Sequence, residues 1–241
     1  MFRLALINPN TDARHTEAMR DVAAATLPGG CDVTAVSPER GPTSIESEAD
    51  AVVAASEVVA LVRGLPEHDA YLVACFGDPG VGAARELTAA PVVGIGEAAF
   101  HAAAMVARRF AVITTLPRGV ADLEDALDRH GMRTRCVAVE PLEIPVADQG
   151  SHHPDTTAAI LAAGRRVVAG AGAEALVLAC GGMADVADTV QREIGVPVCD
   201  GVAFGAMTAF ALWRCGLRTS KVGAYAWPER IAYAGMPGFR S

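Results

Sequence analysis

Two stretches of this chain repeat one pattern about 105 residues apart. In each, a run of apolar residues ends in a cysteine, Cys75 or Cys180, and small residues follow it. A second short apolar run begins 16 or 17 residues after each cysteine. Upstream, Asn10 precedes Cys75 by 65 residues, and Thr115 precedes Cys180 by the same number. The sequence is therefore predicted to contain two copies of one structural unit.

Strand-like apolar runs alternate with amphipathic segments throughout both copies. Strands are predicted at 4–7, 31–36, 70–75, 92–95, 110–115, 136–140, in the run that ends at Cys180, and in the tail at 222–226. Helices are predicted from residue 12 onward and at 48–63, 98–108, 120–131, 155–170 and 204–215, with a polar loop at 143–154. Strands separated by helices indicate parallel sheets that are covered on both faces.

The predicted fold is α/β, with two similar Rossmann-like parallel-sheet units and the active site in the cleft between them. The predicted first unit comprises residues 1–99 and 210–241, and the second comprises 100–209. Ligands of such sheets bind at the carboxyl ends of the strands. The segments at 8–11, 75–80, 114–115 and 180–182 all lie at the carboxyl ends of predicted strands, so we expect them to form the site.

Composition and charge narrow the classes of function. The 241 residues are 51% hydrophobic and 20% charged, which is typical of a globular protein. A net charge of -8 argues against nucleic acid as a partner. No apolar run is long enough to cross a bilayer, and the chain begins with a strand rather than a signal peptide. We therefore expect a cytoplasmic protein with reduced cysteines and no membrane partner.

Cys75 and Cys180 are the strongest candidates for chemistry. Each is predicted to lie between a strand end and a helix start, where backbone N–H groups would lower the thiol pKa. Two thiols that face one cleft could serve the two faces of a carbon acid. The other cysteines lie within apolar runs or on helix faces and are interpreted as small buried hydrophobic residues: Cys31, Cys136, Cys199 and Cys215.

Metal and nucleotide sites are not predicted. His152 and His153 lack an acidic or cysteine partner at ligand spacing, so a solvated loop is the preferred interpretation. The chain has neither a Gly-x-Gly-x-x-Gly after its first strand nor a P-loop lysine. We expect no cofactor, and the expected partner is a small-molecule substrate.

Several segments together resemble the hydantoin and allantoin racemases of the aspartate/glutamate racemase superfamily. The most specific are Cys-Phe-Gly-Asp-Pro-Gly at 75–80 and Gly-Ile-Gly-Glu-Ala-Ala at 94–99. The others are Asn-Pro-Asn-Thr at 8–11, Gly-Pro-Thr-Ser-Ile-Glu-Ser at 41–47 and Leu-Ala-Cys-Gly-Gly-Met at 178–183. The chain departs from the family pattern around Cys180, where Ala179 and Gly181 replace other small residues. The resemblance covers nearly the whole chain.

The resemblance implies a racemase without a cofactor that acts on allantoin or another 5-substituted hydantoin. Cys75 and Cys180 would remove and return a proton on opposite faces of the ring, through an enolate. Polar side chains would bind the ring, namely those of Asn10, Ser44, Thr114 and Thr115. Backbone N–H groups would hold the enolate at Phe76, Gly77, Gly181 and Gly182. The family also implies a homo-oligomer. Asn10 could instead serve as a helix cap.

Four other functions remain open at this point. Within the superfamily, the chain could be a maleate isomerase or an arylmalonate decarboxylase-like lyase, although such a decarboxylase needs one thiol rather than two. It could also be an amino-acid racemase, although Gly181, Gly182 and Met183 offer little to polarise an ammonium substrate. Outside the superfamily, it could be a small-molecule binding protein with no catalytic activity.

Overall fold

The structure, a computed structural model, describes residues 1–144 and 154–229, in which strands and α-helices alternate. The elements of the first half are β1 (Arg3–Ile7), α1 (Ala13–Thr26), β2 (Asp32–Val36), α2 (Glu48–Gly64), β3 (Ala70–Val73), α3 (Val81–Leu87), β4 (Val92–Gly94) and α4 (Ile95–Val106). Those of the second half are β5 (Phe110–Thr114), α5 (Val120–Arg129), β6 (Cys136–Pro141), α6 (Pro154–Ala171), β7 (Ala175–Leu178), α7 (Ala187–Ile194), β8 (Val198–Asp200) and α8 (Gly201–Arg214).

The strands form two parallel sheets with the same strand order. One sheet is β2-β1-β3-β4 and the other is β6-β5-β7-β8. The last pairs between their central strands correspond: Ile7 pairs with Val73, and Ile113 pairs with Leu178. The shared order confirms the predicted α/β fold of two similar parallel-sheet units.

Helices cover both faces of each sheet. Every residue of β3, β5 and β7 is buried, which explains why these strands appear in the sequence as continuous apolar runs. In the first sheet, α1 and α8 pack on one face, and α2 and α3 pack on the other. In the second sheet, α4 and α5 pack on one face, and α6 and α7 pack on the other.

The two halves exchange their last helices. Helix α4 follows the first sheet but packs on the second, whereas α8 follows the second sheet and packs on the first. The two helices also contact each other. A Cβ on Gly201 would lie 2.2 Å from the carbonyl oxygen of Ile95, so only glycine permits this close approach. The domain division at residues 99 and 210 stays a prediction.

The segment after α8 packs against the first half of the chain, near the C-terminal end of α3 and the loop that follows it. The Thr219 N–H donates to the Ala89 carbonyl over 3.0 Å, and the Lys221 ammonium donates to the Arg85 carbonyl over 2.6 Å. The strand predicted at 222–226 is wrong, because a 3-10 turn spans Gly223–Tyr225. Gly223 has a φ of 75°, and the Ala226 N–H bonds back to its carbonyl, so the backbone turns instead of extending.

Two helices begin earlier than predicted. Helix α8 begins at residue 201 rather than 204, because the Asp200 carboxylate accepts hydrogen bonds from the N–H groups of Val202 and Ala203. Helix α4 begins at residue 95 rather than 98, immediately after β4.

Within the described ranges, the helices are too short or too polar to cross a membrane.

Candidate active site

A cavity of about 520 Å³ opens at the carboxyl ends of the strands, between the two sheets. Residues from both halves of the chain line it. Of the predicted site residues, all except Ser44 are among those lining it: Asn10, Cys75, Phe76, Gly77, Thr114, Thr115, Cys180, Gly181 and Gly182. The structure therefore brings together nearly the whole set of residues selected from the sequence.

Cys75 lies two residues beyond the end of β3. The Ala74 N–H donates to the Ile7 carbonyl, which continues the pairing with β1, and the Asp78 N–H then donates to the Cys75 carbonyl over 2.9 Å to close a turn. Burial raises the pKa of the Cys75 thiol to about 12, although a hydrogen bond from the Gly77 N–H favours the thiolate. The charges of Cys180 and Asp78 raise the pKa further.

Cys180 occupies the corresponding position in the second sheet. The Ala179 N–H donates to the Ile113 carbonyl, and the Met183 N–H donates to the Cys180 carbonyl over 3.1 Å, which begins a 3-10 turn. Burial raises the pKa of the Cys180 thiol to about 11. A hydrogen bond from the Gly182 N–H acts in the opposite direction, because it favours the thiolate. The charge of Glu46 raises it further.

The expectation of lowered thiol pKa values is wrong. The backbone N–H groups act in the predicted direction, but desolvation is the larger effect at both cysteines. Both side chains nevertheless remain partly accessible because they border the cavity. The pair is also coupled, since the charge of Cys180 raises the pKa of Cys75. The form with two thiolates is therefore disfavoured.

Asn10 belongs to a buried polar network but is not the helix cap. Its side-chain oxygen accepts hydrogen bonds from the Asn8 amide over 2.8 Å and from the Asp12 N–H over 2.9 Å. Asp12 itself caps α1, because its carboxylate accepts hydrogen bonds from the N–H groups of Arg14 and His15. With its oxygen engaged, Asn10 offers its NH2 group as the end that a ligand could meet.

The remaining predicted residues differ in how they face the cavity. The Phe76 ring packs edge-on against Phe100 at 5.2 Å between centroids, so its side chain belongs to the core. Thr114 ends β5 and Thr115 follows it, and their carbonyls accept hydrogen bonds from the N–H groups of Leu142 and Ile144.

Ser44 lies beside the cavity rather than in its lining. Its hydroxyl donates to the Glu46 carboxylate over 3.1 Å, and Glu46 does line the cavity. A role for Ser44 as a direct substrate ligand stays a prediction. The contact that the structure describes is an indirect one, through Glu46.

Glu97 lies in the first turn of α4. Its carboxylate accepts a hydrogen bond from the Gly94 N–H over 3.1 Å and pairs with Arg85. It is not among the residues that line the cavity.

Two of the lining residues that sequence reasoning missed are His15 and Asp78. The His15 ring lies 3.6 Å from the Asp12 carboxylate and faces Gly182, where an added Cβ would lie 3.4 Å from its Nε2. Its spacing of three residues from Asp12 on one helix was the available signal. Asp78 lies within the Cys-Phe-Gly-Asp-Pro-Gly segment, but its carboxylate contacts a helix that begins 17 residues later.

A metal centre finds no support in residues 1–144 and 154–229. No group of three or more His, Cys, Asp or Glu side chains in these ranges could hold a metal ion. His152 and His153 lie outside the described residues.

Comparisons with known proteins agree with this geometry. A sequence model of the Asp/Glu/Hydantoin racemase family matches residues 4–209. The chain is 38% identical to a hydantoin racemase of Pseudomonas sp. (strain NS671) over 97% of its own length and 95% of the relative's. It is 39% identical to a hydantoin racemase of Rhizobium meliloti, covering 97% and 98% of the two chains.

A solved structure is similar throughout. An allantoin racemase from Klebsiella pneumoniae superimposes with a TM-score of 0.95 at 39% identity, covering 98% of this chain and 97% of that one. The match therefore includes both sheets. On these findings, the chain belongs to the Asp/Glu/Hydantoin racemase family and is an isomerase of the racemase class.

Proposed function

We propose that this protein racemises a hydantoin-type ring, either allantoin or another 5-substituted hydantoin, with Cys75 and Cys180 as the acid/base pair. The observation that carries the proposal is that both thiols line one cavity from corresponding turns of two equivalent sheets. The names of the relatives, hydantoin racemase and allantoin racemase, support the substrate class.

The reaction needs one thiolate and one thiol. The thiolate takes the hydrogen of the ring carbon next to the carbonyl, so the C–H bond breaks, an S–H bond forms, and the electron pair passes to the carbonyl as an enolate. The second thiol then gives its proton to the opposite face of the same carbon and becomes the thiolate. The total charge is unchanged, and the enzyme is left ready for the reverse reaction.

The coupling between the thiols supports this division of roles. Because charge on Cys180 raises the pKa of Cys75, the first thiol to ionise keeps the other protonated. The N–H groups of Gly77 and Gly182 are directed at the two sulfur atoms, so they stabilise the thiolates. Because these two N–H groups are engaged by sulfur, other donors on the cavity wall would stabilise the enolate. The best candidates are the Asn10 amide and the Thr115 hydroxyl.

The cavity suits a small ring with a substituent. Its volume of about 520 Å³ lies within the usual range for small-molecule pockets. Apolar side chains such as Val52, Leu116 and Leu123 share its lining with charged ones such as Asp122 and Arg129. Both an apolar and a ureido substituent therefore have suitable neighbours.

A homo-oligomeric assembly and a cytoplasmic location stay predictions.

The test is to incubate the protein with enantiopure allantoin and enantiopure 5-benzylhydantoin in deuterated buffer. Optical rotation and proton NMR are followed on the same samples. Loss of rotation with deuterium uptake at the ring carbon is the expected result, and the faster substrate identifies the preferred substituent. If the folded protein with reduced thiols exchanges the ring proton of neither substrate, the proposal is wrong. The lyase and the binding protein then become the preferred alternatives.

A further inference from the structure

Asp78 joins the turn of one thiol to a helix that begins far along the chain. Its Oδ1 accepts a hydrogen bond from the Gly96 N–H over 2.9 Å, and its Oδ2 accepts one from the Glu97 N–H over 2.8 Å. These N–H groups lie in the first turn of α4, where backbone N–H groups have no carbonyl partner within the helix. The helix dipole also favours a carboxylate at this end. Asp78 therefore caps α4 from a different segment.

The residue at the N-cap position of α4 has no side chain, which leaves room for this carboxylate. Gly94 is the residue at that position, and a Cβ there would lie 2.2 Å from Oδ1 of Asp78. Any side chain at 94 would displace the carboxylate. The sequence thus combines a glycine at the cap with an aspartate elsewhere that takes its place.

The backbone of Asp78 also closes the turn that begins at Cys75. Its N–H donates to the Cys75 carbonyl over 2.9 Å, and its φ of 51° lies in the left-handed region that aspartate tolerates better than most residues. One residue therefore determines both the shape of the Cys75 turn and the position of the α4 N-terminus against it.

Helix α4 carries this connection to the second sheet. Ala99 and Phe100 on α4 pack with Val177 of β7 and with Ala179, the residue before Cys180. The Phe76 ring, next to Cys75, packs on Phe100 in the same cluster. A continuous set of contacts thus runs from the Cys75 turn through Asp78 and α4 to the strand that carries Cys180.

The second half of the chain lacks this arrangement. Asp200 caps α8 by the same two kinds of bond, to the N–H groups of Val202 and Ala203 at 3.0 and 2.8 Å. However, Asp200 lies directly before its helix, and the residue that corresponds to Asp78 is Met183, which is buried in an apolar cluster. The cap in the second half therefore has no bond to the turn of Cys180.

We propose that Asp78 is a positioning residue of the two-thiol site, whose carboxylate holds the Cys75 turn against α4 and so sets the placement of Cys75 relative to Cys180. This inference rests on the proposed function. A secondary electrostatic effect accompanies it, because the Asp78 charge raises the pKa of Cys75. Burial raises the pKa of the Asp78 carboxyl to about 7, and the hydrogen bonds from the N–H groups of Gly96 and Glu97 lower it. Of the charged neighbours, Glu97 raises this pKa and Arg85 lowers it.

The test compares Asp78→Asn with Asp200→Asn, since each of the two carboxylates caps one helix through two backbone N–H groups. Each substitution replaces one accepting oxygen by an NH2 group, so one of the two cap hydrogen bonds is lost; thermal unfolding reports this cost, which both variants are expected to share. Asp78→Asn is expected to lower the kcat of racemisation roughly tenfold to a hundredfold, with a smaller change in KM, because a small misplacement of a reacting group has effects of this size. Asp200→Asn is expected to keep kcat within about twofold, because its cap does not touch the site.

A pair of variants separates positioning from capping. Asp78→Gly removes the carboxylate but tolerates the positive φ, and Asp78→Gly with Gly94→Asp returns a carboxylate to the cap of α4 in the manner of Asp200. The double variant is expected to regain unfolding temperature over Asp78→Gly while kcat stays low. Recovery of kcat in the double variant would overturn the proposal, as would equal losses of kcat in Asp78→Asn and Asp200→Asn.

A second readout does not depend on the substrate. The rate of alkylation of each cysteine by iodoacetamide is measured against pH, with the labelled peptides separated by mass spectrometry. Asp78→Asn is expected to lower the apparent pKa of Cys75 and to leave Cys180 unchanged, and Asp200→Asn is expected to change neither. If the wild-type protein racemises no hydantoin, the proposed function fails, but this profile still decides whether Asp78 governs Cys75. An unchanged Cys75 profile in Asp78→Asn would mean that neither the charge nor the solvent exclusion around Cys75 depends on Asp78, so the turn would not be held by this residue and the inference would be contradicted.

Discussion

Cys75 and Cys180 border the same cavity, although they belong to different sheets and lie 105 residues apart in the chain. Each follows the third strand of a sheet in which that strand pairs with the first and fourth strands of its half. The two halves therefore present equivalent turns to one space, and the charge of Cys180 acts on Cys75. A substrate ring between them would meet one thiol on each face.

The pH dependence of racemisation follows from the thiol pKa values. Burial raises them to about 12 for Cys75 and about 11 for Cys180, so near neutral pH most molecules carry two neutral thiols. Since the reaction needs one thiolate, kcat/KM is expected to increase with pH from 6 to 10. The measurement is kcat/KM for the preferred hydantoin over that range. A plateau already reached below pH 7 would contradict the raised values.

The charge of Glu46 is expected to control Cys180 selectively. Because this charge raises the pKa of Cys180, Glu46→Gln should lower that pKa and speed alkylation of Cys180 at pH 8 by a few-fold, on the order expected for one neighbouring charge. Cys75 should be unaffected. Glu48→Gln is the matched control, because Glu48 also lines the cavity. Equal acceleration in both variants would mean that a general change in charge is responsible.

The crossing of α4 and α8 is expected to be intolerant of added volume. In Gly201→Ala the new Cβ would lie 2.2 Å from the Ile95 carbonyl oxygen, a backbone atom that cannot move alone. The free energy of unfolding should fall by about 1–3 kcal/mol or more. Gly170→Ala in α6, where a Cβ meets no atom within 4 Å, should be neutral or stabilising by up to about 1 kcal/mol. Urea denaturation measures both, and equal stability of the two variants would refute the close-packing argument.

The alternation of strands and helices, together with the repeated cysteine pattern, predicted the fold and the convergence of both cysteines on one cavity. Buried parallel strands leave continuous apolar runs, and the turns that follow them meet at one edge of a sheet, so the positions of Cys75, Cys180 and Thr115 could be inferred from local sequence. The exchange of α4 and α8 could not, because an apolar helix face does not specify which sheet it will cover.

The features that escaped sequence reasoning depend on tertiary contacts. The contact of Asp78 with Gly96 joins residues 18 positions apart, and Gly94 is recognisable as an empty cap only when Asp78 is in place. The direction of the thiol pKa shifts was wrong because the local pattern reveals nearby N–H groups but not how much solvent is excluded. The tail at 222–226 has apolar residues, but no neighbouring strand pairs with it in the described part of the chain.

The most direct test of the two-thiol account uses Cys75→Ser and Cys180→Ser. Each variant and the wild-type protein are given the two enantiomers of the preferred hydantoin separately in deuterated buffer, and rotation and ring-proton exchange are followed together. Each variant is expected to lose racemisation by several orders of magnitude, since one face no longer has its acid/base group. Residual exchange should favour one enantiomer in Cys75→Ser and the opposite one in Cys180→Ser. Racemisation near the wild-type rate in either variant would contradict the account.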